Sequence, residues 1–160
     1  MTEPSSEVER ELSVKRDTTT SRQRVWEVLA DGWTYSQWVV GNSRMRAVSP
    51  DWPAVGSTIH HSVGVWPLLL NDQTEVLESV PQELLVLLAK GRPLGKARIT
   101  LRLFDLDGGG CRIEMAEVPV GMPMGWVPER VALAAAVPRN RECTWRLAAL
   151  AERRVSDDDH

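Results

Sequence analysis

The stretch Ala97-Arg98-Ile99-Thr100-Leu101-Arg102-Leu103 decides the fold class. Ala97, Ile99, Leu101 and Leu103 alternate with Arg98, Thr100 and Arg102, a period of two that marks a half-buried strand. After Asp105-Leu106-Asp107-Gly108-Gly109-Gly110 the pattern resumes, with Cys111, Ile113 and Met115 alternating with Arg112 and Glu114. The intervening glycines supply the positive φ of a turn. A connection this short joins antiparallel neighbours, because a parallel crossover needs about a dozen residues or more.

Working outward, strands are expected at Arg44–Val48, Ser57–Val65, Gln73–Val80, Leu84–Lys90, Ala97–Leu106 and Cys111–Val118. Upstream, Val8, Leu12 and Val14 alternate with Glu9, Glu11 and Ser13, which predicts one more strand, with Arg10 breaking the pattern as on an edge. Thr20-Ser21-Arg22-Gln23 has capping-box form and precedes Val25, Val28 and Leu29 at helical spacing. Thr34-Tyr35-Ser36-Gln37 repeats that form, opening a second short helix through Val40, and Gly32 and Gly41 supply the stops. Pro119 to Pro128 reads as a loop, and Pro138 as the boundary before a helix over Arg139–Arg154. On that helix Asn140, Thr144, Leu147, Ala148 and Ala151 form one stripe. The order is strand, two short helices, six strands, long helix. An α+β fold follows, with a curved antiparallel sheet of about seven strands whose apolar face the last helix covers.

With 160 residues the chain is expected to form one domain over residues 7–155, flanked by tails at 1–6 and 156–160. Such a length buries roughly two-thirds of the unfolded surface, so a core needs neither disulfide nor metal. A net charge of −3 with no Lys/Arg stripe speaks against a nucleic-acid partner. Two cysteines, Cys111 and Cys143, outside any CxxC pair, read as buried thiols in a reducing cytoplasm. The polar, acidic N-terminal residues are not expected to act as a signal peptide. No apolar run reaches the ~20 residues of a membrane span. Trp is over-represented, with seven against one Phe and one Tyr, which suits either a cavity wall or an ordinary core.

The order of elements and several local stretches resemble the helix-grip fold of the SRPBCC superfamily (START/Bet v 1-like). The stretches are Trp38-Val39-Val40-Gly41, Trp52-Pro53-Ala54-Val55-Gly56-Ser57-Thr58-Ile59-His60-His61, Gly91-Arg92-Pro93-Leu94-Gly95-Lys96-Ala97 and Arg139-Asn140. They look like the superfamily's WVVG, WPxxGSxxHH, RPxGxA and RN segments and are similar to those of actinobacterial-type members whose function is not assigned. The resemblance runs roughly from Glu7 to Arg154 and carries no catalytic signature. It implies a cavity between sheet and last helix that holds a small hydrophobic molecule, lipid- or polyketide-like, in a monomer or homodimer and without a cofactor. Some relatives cyclise or dehydrate polyketides, so a metal-free activity of that kind is the alternative. An interaction module without a ligand is a third.

Two residues could carry such chemistry. On a strand only one of His60 and His61 can face inward, and the apolar company of Ile59, Val63 and Val65 selects His61. Its near-neutral pKa suits acid–base work, while the alternative is a hydrogen-bonded structural histidine. Glu117 continues the inward stripe of Ile113 and Met115, where desolvation would raise its pKa, unless the strand ends or bulges there. Glu75 and Glu78 lie on opposite faces, Glu75 being assigned to the pocket with its facing left open. Asn140 could orient a ligand or cap the helix. Trp38, Trp66, Ile99, Leu101, Met115, Trp126 and Leu147 complete the expected wall, with Met122 and Met124 in the adjoining loop. No His, Cys or paired carboxylates have metal-ligand spacing.

Overall fold

The computed structural model describes residues 13–91, 95–120 and 129–158. Its strands are β1 (Val14–Thr18), β2 (Asn42–Val48), β3 (Thr58–Val65), β4 (Leu68–Val80), β5 (Leu84–Gly91), β6 (Gly95–Asp105) and β7 (Cys111–Val120). The helices are α1 (Arg22–Ala30), α2 (Tyr35–Trp38) and α3 (Glu129–Asp158), with a 3-10 turn at Gly32–Thr34. All seven strands form one antiparallel sheet in the order β1-β7-β6-β5-β4-β3-β2. The first and last strands in sequence thus pair, Val14 opposite Met115 and Thr18 opposite Cys111. The β6–β7 turn is as read: Gly108 and Gly109 have φ of 93° and 94°, and Leu106 N donates to Gly110 O at 2.9 Å.

Differences from the sequence reading lie at element ends. Ser21, not Thr20, caps α1, its Oγ accepting from Arg24 N at 3.3 Å. Thr34 makes no capping bond; its hydroxyl turns back to the carbonyls of Val28 and Asp31 at 2.8 and 2.9 Å. That choice joins the end of α1 to the start of α2, so Gly32–Thr34 tighten into a 3-10 turn and α2 closes at Trp38. Trp52 Nε1 donates to Leu29 O at 3.0 Å, meeting a carbonyl that the last turn of α1 leaves without a helical partner. The expected strand residues Val8 to Leu12 lie outside the described residues, as do residues 1–6.

Helix α3 does not begin after Pro138 but runs through it from Glu129, and it continues through Ser156–Asp158, where a loose tail was expected. Proline removes one N–H, that which would bond the carbonyl of Ala134. Ala134 is exposed, so water can take that carbonyl. Beyond Pro138 the expected stripe is in place, with Asn140, Cys143, Thr144, Leu147, Ala148 and Ala151 all buried. The inward residues of the sheet meet it: Ile59, Val76, Leu85, Leu87, Ile99, Leu101, Leu103, Ile113 and Met115 are buried in one cluster with Cys143, Leu147 and Ala151. Trp38 and Tyr35 close this core from α2, edge to face at 5.4 Å. Truncating Leu147 to Ala is expected to lower the unfolding free energy by about 2–5 kcal/mol in urea denaturation; a loss below about 1 kcal/mol would mean that the helix does not fill the concave face.

Candidate functional site

Five inward stripes change character at the same end of the sheet. On β5 the sequence of inward residues runs Leu85, Leu87, Ala89; on β6 it runs Leu103, Leu101, Ile99, Ala97; on β7 it runs Ile113, Met115, Glu117, Pro119. On β4 Val76 gives way to Thr74 and Asp72, and on β3 Ile59 gives way to His61. Ala89 and Ala97 are direct partners across β5 and β6. Two facing alanines leave a gap that Leu87 and Ile99, partners one step further in, fill. The result is a cavity of about 380 Å³ between this end of the sheet, the α2–β2 corner at Val39–Asn42 and the stretch of α3 holding Ala136 and Arg139.

Three side chains form a hydrogen-bonded chain at its inner edge. Tyr35 Oη lies 3.1 Å from Thr74 Oγ1, which lies 3.0 Å from His61 Nε2. All three residues are buried. Burial pushes the Tyr35 phenol up to about 12, so it stays protonated beside Thr74. Thr74 has one hydroxyl proton, so it donates to one neighbour and accepts from the other, and the His61 tautomer follows the direction of the chain. Nδ1 is buried and has no partner among the described residues. Burial lowers the His61 pKa to about 4; Asp72 opposes the shift, and Arg46 and His60 add to it. His61 is therefore both the hydrogen-bonded histidine of the plainer reading and a cavity residue, neutral at physiological pH.

Glu117 does face inward, and it is paired. Arg139 Nη1 donates to its two carboxylate oxygens at 2.9 and 2.8 Å, and the Glu117 side chain is 14% exposed. Arg139 Nε also donates to Val40 O at 3.2 Å, while Val40 N donates to Cys143 Sγ at 3.4 Å. One guanidinium thus ties α3, β7 and the α2–β2 corner together around the cavity.

Of the expected wall, His61, Val63 and Glu117 line this cavity. Trp38, Ile59, Ile99, Leu101, Ile113, Met115 and Leu147 are buried in the solid core beside it, where α3 fills the concavity. Trp126, with Met122 and Met124, lies outside the described residues. Two assignments are corrected. Glu75 sits between inward Thr74 and Val76, so period two turns it to the outer face, where its carboxylate is 4.0 Å from Lys90 Nζ; Glu78 follows a bulge and is exposed. Trp66 is 81% exposed at the tip of the β3–β4 hairpin. Asn140 is buried in mid-helix and cannot cap α3; its Oδ1 has no partner among the described residues. Sequence reading missed Tyr35, Thr74, Asp72 and Arg139. Arg139 carried a signal: it precedes Cys143 and Leu147 at intervals of four, and a carboxylate expected on an inner face calls for a cation. Among the described residues no three of His, Cys, Asp and Glu are grouped to hold a metal, and no helix is long and apolar enough to cross a membrane.

No family model and no curated protein matches the sequence. Solved structures do match the architecture. Among them are the protein of unknown function SA2116 from Staphylococcus aureus, at TM-score 0.69 and 11% identity over 90% of this chain and 95% of that one, and the Zhui aromatase/cyclase from Streptomyces sp. R1128, at 0.68 and 20% over 89% and 93%. Ara h 8.0201 matches at 0.64 and 9% over 88% and 96%. The chain has the helix-grip fold that these structures share. In this fold the space between sheet and α3 is divided, with core under the C-terminal half of the helix and cavity under its N-terminal half, at Ala136 and Arg139.

The His61 shift gives a signed prediction. Between pH 6.5 and about 4 the unfolded chain takes up a proton on this ring that the folded chain refuses, so stability falls as pH falls through that window. Wild type should lose more stability than His61→Gln between neutral pH and pH 4.5 (about two units, within the window of the cited shift) in urea titrations. Equal losses would mean that the ring is not desolvated.

Proposed function

We propose that this protein binds a compact, largely apolar molecule carrying one hydrogen-bonding group, in the cavity under the N-terminal half of α3, beside Ala136 and Arg139. The observation that carries this reading is the switch from large apolar to small or polar residues on five strands at once. A packing defect would be local; this one is shared by β3, β4, β5, β6 and β7, and its polar groups converge on one space. Ligand pockets run from roughly 300 to 1,000 Å³ and combine apolar walls with a few polar groups that fix orientation. At about 380 Å³ the cavity suits a molecule of one or two rings better than a long-chain lipid. Val39, Val63, Ala89, Ala97 and Pro119 would hold its body. A polar group settling against the His61 ring would supply the hydrogen-bond partner that Nδ1 lacks among the described residues, worth about 1–3 kcal/mol for a buried polar atom.

A second reading is a cyclase-like transformation of such a molecule. The Tyr35–Thr74–His61 chain favours it, and an aromatase/cyclase shares the fold. Holding a reactive chain in one conformation supplies much of such catalysis, with His61 and Glu117 moving protons. Binding is preferred on electrostatic grounds. A histidine that stays neutral down to about pH 4 is a weak base, and both oxygens of Glu117 are already engaged by Arg139. On the transformation reading, His61→Ala and Glu117→Gln abolish turnover of a polyketide chain while binding persists; an unchanged product profile removes it.

The binding reading is tested with N-phenyl-1-naphthylamine, a neutral apolar fluorophore. Wild type should bind it saturably at one site, and Ala97→Phe, which fills the gap opposite Ala89, should weaken binding by at least about tenfold. Phe104→Ala, an exposed substitution on the same strand, should not. Equal binding by wild type and Ala97→Phe would remove the cavity as the site.

A further inference from the structure

Trp66-Pro67-Leu68-Leu69-Leu70 turns β3 into β4 and carries the two most exposed large apolar side chains of the described residues, Trp66 at 81% and Leu68 at 82%, followed by Leu69 at 41% and Leu70 at 45%. Successive strand residues point to opposite faces, so Leu68, Leu69 and Leu70 make the hairpin apolar on both. A protein laid against a hairpin covers one face and leaves the other wet. A finger apolar all round is satisfied by a medium that surrounds it.

The setting of the finger narrows that medium. Gln73 is the strand partner of Lys90 and Lys96 is the partner across the β5–β6 turn. Leu69 lies four positions before Gln73, which at about 3.3 Å per step puts the apolar tip ~13 Å beyond the lysines. Arg44 stands exposed on β2 opposite Ser62, one strand away. Glu75 offsets Lys90 in part, yet this end carries cations behind an apolar tip in a chain of net charge −3. An apolar tip ahead of cations suits a bilayer surface: the tip reaches the headgroup–acyl boundary, about 5–10 Å deep, while the long lysine stems reach forward to the phosphates. Val120, at the end of β7 beside Lys96, is exposed at the same end. The cavity lies there too, lined by Val63, Lys90, Lys96 and Pro119.

We propose that this end of the protein docks on an anionic lipid bilayer. The Trp66–Leu70 tip enters the headgroup–acyl boundary, Lys96, Lys90 and Arg44 meet headgroup phosphates, and the cavity exchanges its occupant with molecules partitioned into that bilayer. Only the last step rests on the binding reading above.

The test is flotation of the full chain with vesicles of phosphatidylcholine alone or mixed with phosphatidylglycerol, at low and high salt. Wild type should float with the mixed vesicles, less so in high salt. The double variant Trp66→Ser/Leu68→Ser should bind them at least about tenfold more weakly while keeping wild-type affinity for N-phenyl-1-naphthylamine, since the tip does not line the cavity. Lys96→Glu should lose the preference for phosphatidylglycerol. Failure of wild type to float, or equal flotation of wild type and double variant, overturns docking. So does a dimer in sedimentation that the double variant abolishes without any vesicle binding, because a second copy of the chain then covers the tip. If vesicle binding holds but Ala97→Phe leaves probe binding intact, docking stands and the cavity reading alone falls.

Discussion

The packing of Cys143, Leu147 and Ala151 into the inner stripes of the sheet is the contact on which the rest depends. A twisted antiparallel sheet of seven strands presents one concave apolar face, and burying a Leu-sized side chain there stabilises by about 1.5–3 kcal/mol. Helix α3 supplies the cover, and the strand pair β1–β7 brings the N-terminal strand alongside it. The same packing sets where the cavity can be. Where α3 carries Leu147 and Ala151, opposed by Leu101, Ile113 and Met115, the interior is solid. Where it carries Ala136 and Arg139, opposed by Ala89, Ala97 and Glu117, it is open.

An ion pair in a cavity wall has to be held in place, because two desolvated charges repay their burial only with good geometry. Arg139 meets that condition with both Glu117 oxygens and the Val40 carbonyl as acceptors. It keeps α3 over the cavity without filling it, which a large apolar residue at the same place could not do. Tyr35, Thr74 and His61 do the equivalent on the other wall, joined by hydrogen bonds of 3.1 and 3.0 Å. The outcome is a polar but uncharged imidazole, presented by a rigid strand and not by a loop. That arrangement orients a ligand more readily than it transfers a proton at neutral pH.

Much of the fold was legible because period two is imposed by backbone geometry. Ala97–Leu103 and Cys111–Met115 needed no tertiary information to be read as a hairpin, and the Asn140–Ala151 stripe pointed to the gripped helix. Misreadings arose where a tertiary partner overrode a local rule. Thr34 has the form of a cap, but the Val28 carbonyl is a better partner for its hydroxyl. Pro138 has the form of a boundary, but the carbonyl it orphans lies on the wet side of α3. In the site, His61 and Glu117 were legible as polar residues on inward stripes. Ala89 and Ala97 were not, since a small residue on an inner face reads as ordinary core until the residue opposite is known. Trp66 was placed in the wall for its chemistry, although a turn between β3 and β4 puts it outside.

The central claim is that one end of this interior is a ligand site and the other is core. Amide chemical-shift mapping during titration with N-phenyl-1-naphthylamine tests that division directly. The account predicts saturable shifts at His61, Val63, Ala89, Ala97 and Glu117, with Leu101, Ile113 and Leu147 unmoved. Shifts centred on Leu101, Ile113 and Leu147, or none at Ala89 and Ala97, would contradict it.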